Sequence, residues 1–210
     1  IPTFGGMFEG QGHTVSGLEL SGDASHMGLF RYVQAVGTVR DLKITGNIDA
    51  AGTLNEIGAV VGTNYGTISG CSFNGTISGE NNVGGIGGQN IGTISYCSNT
   101  TGVNINASEA VDSAEDLDSL TLPTASDDED DDAPKKANTS TDVGGICGFS
   151  SGVIIGCTNW GGVGFEHVGY NIGGIVGRQS GLVSGCTNWG TASGRKDVGG
   201  ICGQMEPFIT

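Results

Sequence analysis

The chain has 210 residues, of which 41 are glycine and six are cysteine, and its formal net charge is −14. Only eight lysines and arginines stand against 22 acidic residues, so there is no basic stripe of the kind that nucleic-acid binding requires. No apolar run approaches the roughly 18 residues of a membrane-spanning helix. The charge balance therefore excludes a nucleic-acid partner, and the lack of a long apolar run excludes a membrane span in this segment.

A glycine-rich apolar phrase recurs along the chain. It reads MGLFRY from residue 27, IGAVVG from 57, VGGIGG from 83, VGGICG from 143, IGGIVG from 172 and VGGICG from 198. Successive copies lie 26 to 30 residues apart, except for one step of 60 residues. A regular period of this length is typical of repeat proteins, in which each unit stacks on its neighbours.

Each repeat contains three short apolar or β-branched runs that end in glycine, asparagine or serine, without helical spacing. One such unit cannot bury its own apolar face, so we expect successive coils to stack as parallel strands about 4.8 Å apart around a shared core. The repeats therefore predict an all-β fold. It is a parallel β-helix, or solenoid, of about six coils with three short strands per coil, forming a single domain over residues 1–210.

The sequence CTNWG occurs twice, at residues 157–161 and 186–190. Stacked coils place equivalent residues above one another, so Trp160 and Trp189 are expected to stack. A shared turn position precedes the tryptophans and is occupied by three asparagines: Asn99, Asn159 and Asn188. An asparagine there can bond the backbone of its own turn and the amide of the neighbouring coil.

Four cysteines lie at the same distance after the glycine-rich phrase and are expected to form one inward-directed column: Cys71, Cys97, Cys157 and Cys186. Side chains in register stay near the strand spacing of about 4.8 Å, beyond the Cβ separation of roughly 3.8 Å in a relaxed disulfide. Buried free thiols are therefore favoured over disulfides. The chain has no CxxC pair and its three histidines share no repeat position, so neither a metal nor a cofactor is predicted.

The single 60-residue step contains an acidic segment, residues 107–140, which we expect to be a flexible insert between two coils. Eleven acidic residues and two lysines lie at 107–137, which accounts for nine of the 14 net negative charges. Like charges at this density repel one another and stay solvated. Calcium binding is the alternative, although the ordered ligand spacing of known calcium loops is missing.

A polar residue precedes five copies of the glycine-rich phrase: Glu56, Asn82, Asp142, Asn171 and Asp197. Some β-helix lyases and glycosidases use carboxylates from neighbouring coils, so a polysaccharide-active enzyme is the alternative function. Asp142 and Asp197 would be two coils, about 9.6 Å, apart, at the edge of the range for an inverting pair. No arginine or histidine recurs beside them, so we expect turn capping and no catalytic residue.

The glycine-rich strand has large apolar residues at a position that should point into the core, such as Val60 and Ile175. The next residue should then point outward. That column is also apolar and forms a candidate interaction surface: Val61, Cys147, Val176 and Cys202. Because of the glycines, the sequence does not determine which residues of this strand point inward and which point outward. The opposite assignment would place these four residues in the core.

The phrases VGGICGFSSGVIIGCTNWGGV, from residue 143, and IGGIVGRQSGLVSGCTNWGTA, from residue 172, resemble the GLUG-motif repeats of bacterial surface proteins. Such repeats also occur in the amino-terminal regions of IgA-specific zinc metallopeptidases. FGGMFEGQGHTVSGLEL, from residue 4, is similar to the coil that often precedes them. The resemblance implies a right-handed parallel β-helix in an extracellular or cell-surface location. It does not imply peptidase activity, because the HExxH motif is absent.

These observations predict a non-catalytic repeat module of a bacterial cell-surface or secreted protein that acts as a stalk, a spacer or an adhesive surface. Its expected partner is an unknown protein or glycan ligand, or the downstream region of the same protein. The first residue is isoleucine, and we expect the chain to be an excerpt of a longer secreted precursor.

Overall fold

A computed structural model describes residues 1–50, 55–100, 102–105 and 140–207. Strands, turns and bends make up these residues, and no helix occurs in them, so this part of the chain contains no helical membrane span. The acidic segment predicted as an insert lies outside the described residues, apart from Ser140.

Twenty-five strands lie in the described part of the chain. In chain order they are β1 Thr3–Phe4, β2 Met7–Glu9, β3 Thr14–Gly22, β4 Phe30–Val33, β5 Thr38–Arg40, β6 Lys43–Ala50, β7 Asn55–Gly58, β8 Val61–Asn64, β9 Thr67–Ser69, β10 Ser72–Gly79, β11 Asn81–Gly84, β12 Gly87–Asn90, β13 Thr93–Ser95, β14 Ser98–Asn99, β15 Val103–Ile105, β16 Thr141–Gly144, β17 Cys147–Ser150, β18 Val153–Ile155, β19 Thr158–Asn159, β20 Tyr170–Gly173, β21 Val176–Gln179, β22 Leu182–Ser184, β23 Thr187–Asn188, β24 Lys196–Gly199 and β25 Cys202–Met205.

The strands stack into four parallel sheets. The first sheet has the order β7-β11-β16-β20-β24, the second β1-β4-β8-β12-β17-β21-β25, the third β2-β5-β9-β13-β18-β22, and the fourth β3-β6-β10-β14-β19-β23, with β15 also paired to β10. The chain passes through the sheets in the same sequence in each turn, which confirms the predicted parallel β-solenoid of about six coils.

The core is a set of apolar columns that run through the stacked coils. Ile68, Ile94 and Ile154 are directly paired in the third sheet, and all three are fully buried. The fourth sheet aligns Ile48 with Ile77 in the same way. Each coil thus covers the apolar residues of the one before it, which is why a 26-residue unit is stable only in a stack.

The number of strands per coil differs from the expected three. The first two coils have three strands, but the later complete coils have four, or five where β15 follows β14, because the glycine-rich phrase divides into a strand of the first sheet and a strand of the second. Ala59 and Val60 form the bend between β7 and β8. The second-sheet strand β12 also lies so close to β7 of the coil before it that a Cβ atom on Gly88 would be 2.3 Å from the carbonyl carbon of Glu56. Glycine is required there because no side chain would fit.

This bend also shows that the predicted interaction surface is wrong. Val61, Cys147 and Val176 are 0% exposed members of the core, and Cys202 is partly buried against it. Alternation of side chains holds only within a continuous strand. Because the chain turns between the two short strands, Val60 and Val61 both face the interior, and neither is available to a partner.

The 60-residue step leaves the stacking intact. β14 pairs with β19 in register, so that Asn99 lies opposite Asn159. The backbone amide of Thr158 donates to the carbonyl of Cys97 at 2.9 Å. The coils on either side of the step are therefore direct neighbours.

Candidate functional site

The cysteine column lies where the third sheet turns into the fourth. The residues that follow its four members are paired in register along the fourth sheet: Ser72, Ser98, Thr158 and Thr187. All six cysteines of the chain are free. Burial raises the pKa of the Cys97 and Cys147 thiols above the ordinary value. Both thiols are also fully buried in the core, so they are packing groups and not accessible nucleophiles.

The asparagines of the repeated turn form a hydrogen-bonded ladder. Asn99 Nδ2 donates to Asn159 Oδ1 at 2.9 Å, and Asn159 Nδ2 donates to Asn188 Oδ1 at 2.8 Å. Asn159 also donates to the carbonyl of Gly161 and accepts from its backbone amide, which closes its own turn. One side chain thus bonds both its turn and the neighbouring coil.

A second polar ladder runs between the second and third sheets, and the sequence reasoning missed it. Equivalent positions in four coils hold Asn64, Asn90, Ser150 and Gln179. Asn64 Nδ2 donates to Asn90 Oδ1 at 2.8 Å, and Asn90 Nδ2 donates to Ser150 Oγ at 3.1 Å. The available signal was a polar residue two places before a recurring glycine, in the coils of Gly66, Gly92, Gly152 and Gly181.

The polar residues before the glycine-rich phrase have left-handed backbone conformations, with φ of 63° at Glu56, 51° at Asn82 and 62° at Asp142. Asparagine and aspartate tolerate this conformation better than most residues. Their side chains bond one another along the column: Asn82 donates to Glu56 at 3.2 Å, and Asn171 donates to Asp142 at 2.7 Å. The left-handed backbone conformation and these bonds along the column thus favour these residue types.

Asp142 is the most enclosed carboxylate of this column, with only 4% of its side chain exposed. Arg178 forms an ion pair with it at 2.9 Å and a second one with Glu206 at 2.7 Å, and its guanidinium lies 4.5 Å from the centre of the Phe149 ring. The sequence reasoning found no recurring basic residue here, and it missed this single arginine one coil away. A carboxylate held in this way stabilises the junction of the first and second sheets.

The two tryptophans stack on the outer face of the fourth sheet. Their ring centroids are 5.7 Å apart and their planes differ by 16°. Trp160 is nevertheless 55% exposed and Trp189 is 67% exposed. Large aromatic side chains at this exposure contribute little to the core and remain available to a ligand.

A polar cavity of about 500 Å³ lies on the same sheet, over the first three coils. Its polar lining comes from β3, β6 and β10: Glu19, Ser21, Asn47, Asp49, Thr76 and Ser78. Asn47 donates to Glu19 at 2.9 Å, Thr76 donates to Asn47 at 2.7 Å, and Ser78 donates to Asp49 at 2.7 Å. Hydrogen bonds between neighbouring coils thus connect these side chains.

The cavity was not predicted from the sequence. The only signal was a polar residue on each side of Leu20, Ile48 and Ile77, which half-buried strands also show. Its lining includes acids, an amide and hydroxyls but no lysine, arginine or histidine. Within the described ranges no group of three or more histidine, cysteine or acidic residues could hold a metal ion. The arrangement is suited to hydrogen bonding with a polar ligand.

Strand register connects the tryptophans to the cavity. The register of β6, β10, β14, β19 and β23 continues through backbone hydrogen bonds into the residue after each short strand. It places five residues in one column of the outer face: Thr45, Asn74, Thr100, Trp160 and Trp189. Thr45 precedes Asn47 by two residues on β6. The tryptophan column therefore passes directly beside the cavity. We call this continuous region the outer face of the fourth sheet.

Comparison with solved structures shows a similar fold in a candidate immunoglobulin A1 protease from Bacteroides ovatus. The TM-score is 0.62 at 18% identity, over 91% of this chain and 54% of that one. At this identity the likeness extends to the fold alone, and the chain spans about half the length of that protein. No protein-family model matches the sequence. A search of curated proteins gives no match.

Proposed function

We propose that the chain is a non-catalytic repeat module of a secreted or cell-surface bacterial protein, and that it acts as a rigid spacer with an adhesive surface. The observation that carries this proposal is the outer face of the fourth sheet, which carries both a stacked and exposed tryptophan pair and a polar cavity. The similar fold of the Bacteroides ovatus protein is compatible with a module of this kind. The resemblance of the glycine-rich phrases to GLUG repeats supports an extracellular location.

Adhesion tests this proposal directly. The purified chain is coupled to fluorescent beads, which are incubated with epithelial cell monolayers, with mucin and with whole bacteria, and bound beads are counted after washing. Beads that carry the Trp160→Ala, Trp189→Ala double variant are the matched control. We expect the unmodified chain to retain beads on at least one of these surfaces and the variant to retain fewer. Equal retention of both bead types on all three surfaces would exclude an adhesive role for this face.

A polysaccharide-active enzyme is the second candidate, and one observation favours it. Glu19 and Asp49 lie on adjacent coils in the same cavity, as paired carboxylates do in glycosidases. Chromatography of a polysaccharide panel after long incubation with the chain tests for products, with Glu19→Gln and Asp49→Asn as controls. We expect no products. Products that disappear in both variants would replace the non-catalytic proposal with the enzyme.

A further inference from the structure

The outer face of the fourth sheet has a fixed repeat along the solenoid axis. Its residues are in parallel register from Thr45 to Trp189, so equivalent side chains recur every ~4.8 Å. This spacing is close to the advance per sugar in a β-1,4-linked glycan, whose equatorial linkages keep the chain extended, whereas α-1,4-linked chains coil. A linear glycan that lies along the axis would therefore meet an equivalent column position at each successive sugar.

The two parts of this face have the chemistry that sugars require. Trp160 and Trp189 are more than half exposed although each ring covers one face of the other, and their remaining aromatic surface can contact the C–H groups of a sugar. The cavity offers the Asn47 amide, the Thr76 and Ser78 hydroxyls and two carboxylates as hydrogen-bonding groups. Sugar hydroxyls both donate and accept, so they can pair with all of these groups. Few other ligands combine apolar faces with so many hydroxyls.

Charge narrows the class of glycan. Glu19 and Asp49 line the cavity without a basic residue among its lining, and the whole chain has a formal net charge of −14. A uronic acid or a sulfated sugar would be repelled there. The hydroxyl groups of a neutral glycan, in contrast, can donate hydrogen bonds to the two carboxylates. Hydrogen bonds to charged acceptors are stronger than those to neutral ones.

Resting on the adhesive role proposed above, we propose that the outer face of the fourth sheet binds a neutral, extended, β-1,4-linked glycan along the solenoid axis. The tryptophan pair packs against sugar rings at one end of the face. The side chains of the cavity bind the hydroxyls of sugars further along the same chain. A ligand long enough to reach both parts binds more tightly than a short one.

Intrinsic fluorescence offers a direct measurement, because the chain contains only two tryptophans and both belong to this face. Cellohexaose, xylohexaose, mannohexaose and chitohexaose are titrated as neutral probes, with hexagalacturonate as the anionic comparison. We expect a saturable fluorescence change with at least one neutral hexasaccharide and at least tenfold weaker binding of its trisaccharide. A response to hexagalacturonate alone, or to no probe, would overturn the proposal.

Variants locate the binding. The double variant Glu19→Gln, Asp49→Asn leaves both tryptophans in place. We expect it to lower the affinity for the hexasaccharide about tenfold and to leave the affinity for the trisaccharide nearly unchanged. Tyr96→Ala is the matched control, because Tyr96 is 69% exposed but belongs to the turn between the third and fourth sheets. Equal binding by the cavity variant and the control would contradict a ligand that spans the face. If the beads adhere but no neutral hexasaccharide binds, the glycan proposal is contradicted while the adhesive role is still supported.

Discussion

Asn159 donates through its side-chain amide both to Asn188 Oδ1 and to the carbonyl of Gly161, each at 2.8 Å, and it is completely buried. One residue therefore closes a turn and joins two coils. The hydrogen bonds of this asparagine ladder fix the conformation of the turn, which the flexible glycine-rich backbone alone would not do.

Replacement of Asn159 by alanine should remove the hydrogen bonds to its own turn and to the coils on both sides of it. We expect a loss of about 2 to 3 kcal/mol in the free energy of unfolding, measured by urea denaturation. Asn74→Ala is the control, because Asn74 is exposed on the outer face, and its effect should stay within about 0.5 kcal/mol. Equal midpoints for both variants would show that the ladder contributes no stability.

Val176→Asp should prevent folding or cost several kcal/mol, because the new carboxylate would be buried without a partner. The matched control is Val36→Asp, since Val36 is 80% exposed and should tolerate the charge. Circular dichroism and thermal unfolding of the two variants provide the comparison. A Val176→Asp protein as stable as the control would mean that this column faces solvent after all.

Arg178 neutralises a nearly buried carboxylate, so its removal should cost more than the loss of a surface ion pair. For Arg178→Met we expect about 2 kcal/mol of destabilisation, less than for a fully buried pair because the arginine is 32% exposed. Adding Asp142→Asn removes the unpaired charge and should recover part of this loss. Simple additivity of the two substitutions in a double-mutant cycle would argue against their coupling.

Thiol ionisation should make stability fall at high pH. The pKa of Cys97 is raised in the folded protein by burial, whereas in the unfolded chain the thiol ionises near ~8.5. The contribution of this thiol to the free energy of unfolding is therefore fully present below about pH 8.5 and is lost as the pH rises from there toward the pKa of the folded protein. Urea denaturation at pH 8 and pH 10 should show this decline, and Cys97→Ala should show a smaller one. Identical pH dependence in both proteins would exclude Cys97 as a source.

Replacement of residues 107–137 by a short glycine and serine bridge should leave the solenoid folded. The coils on either side are already joined by the hydrogen bond from Thr158 to Cys97, and loop-closure cost depends only weakly on loop length. Cooperative unfolding near the midpoint of the full chain is the expected result. Loss of cooperativity would place the segment in the core.

Repeat spacing was sufficient to predict which residues share a column. The four cysteines, the three asparagines and both tryptophans could be aligned from their offsets because parallel stacking preserves register. The direction of the side chains at Val61 and Cys147 could not be predicted, since it depends on a bend between two glycine-rich strands that alternation does not reveal. The polar cavity was missed for another reason: its polar residues flank Leu20, Ile48 and Ile77 in an alternation that any half-buried strand shows.

Register in all four sheets also has an evolutionary consequence. Residues 157–185 form one full period, after which Cys186 occupies the place that Cys157 holds in the coil before. An in-frame duplication of such a segment would bring its own turn asparagine, its own glycines and its own share of the apolar interior. The protein could therefore lengthen or shorten by whole coils, in increments of ~4.8 Å, without any compensating change elsewhere. Recombination between gene copies would then tune how far this module extends.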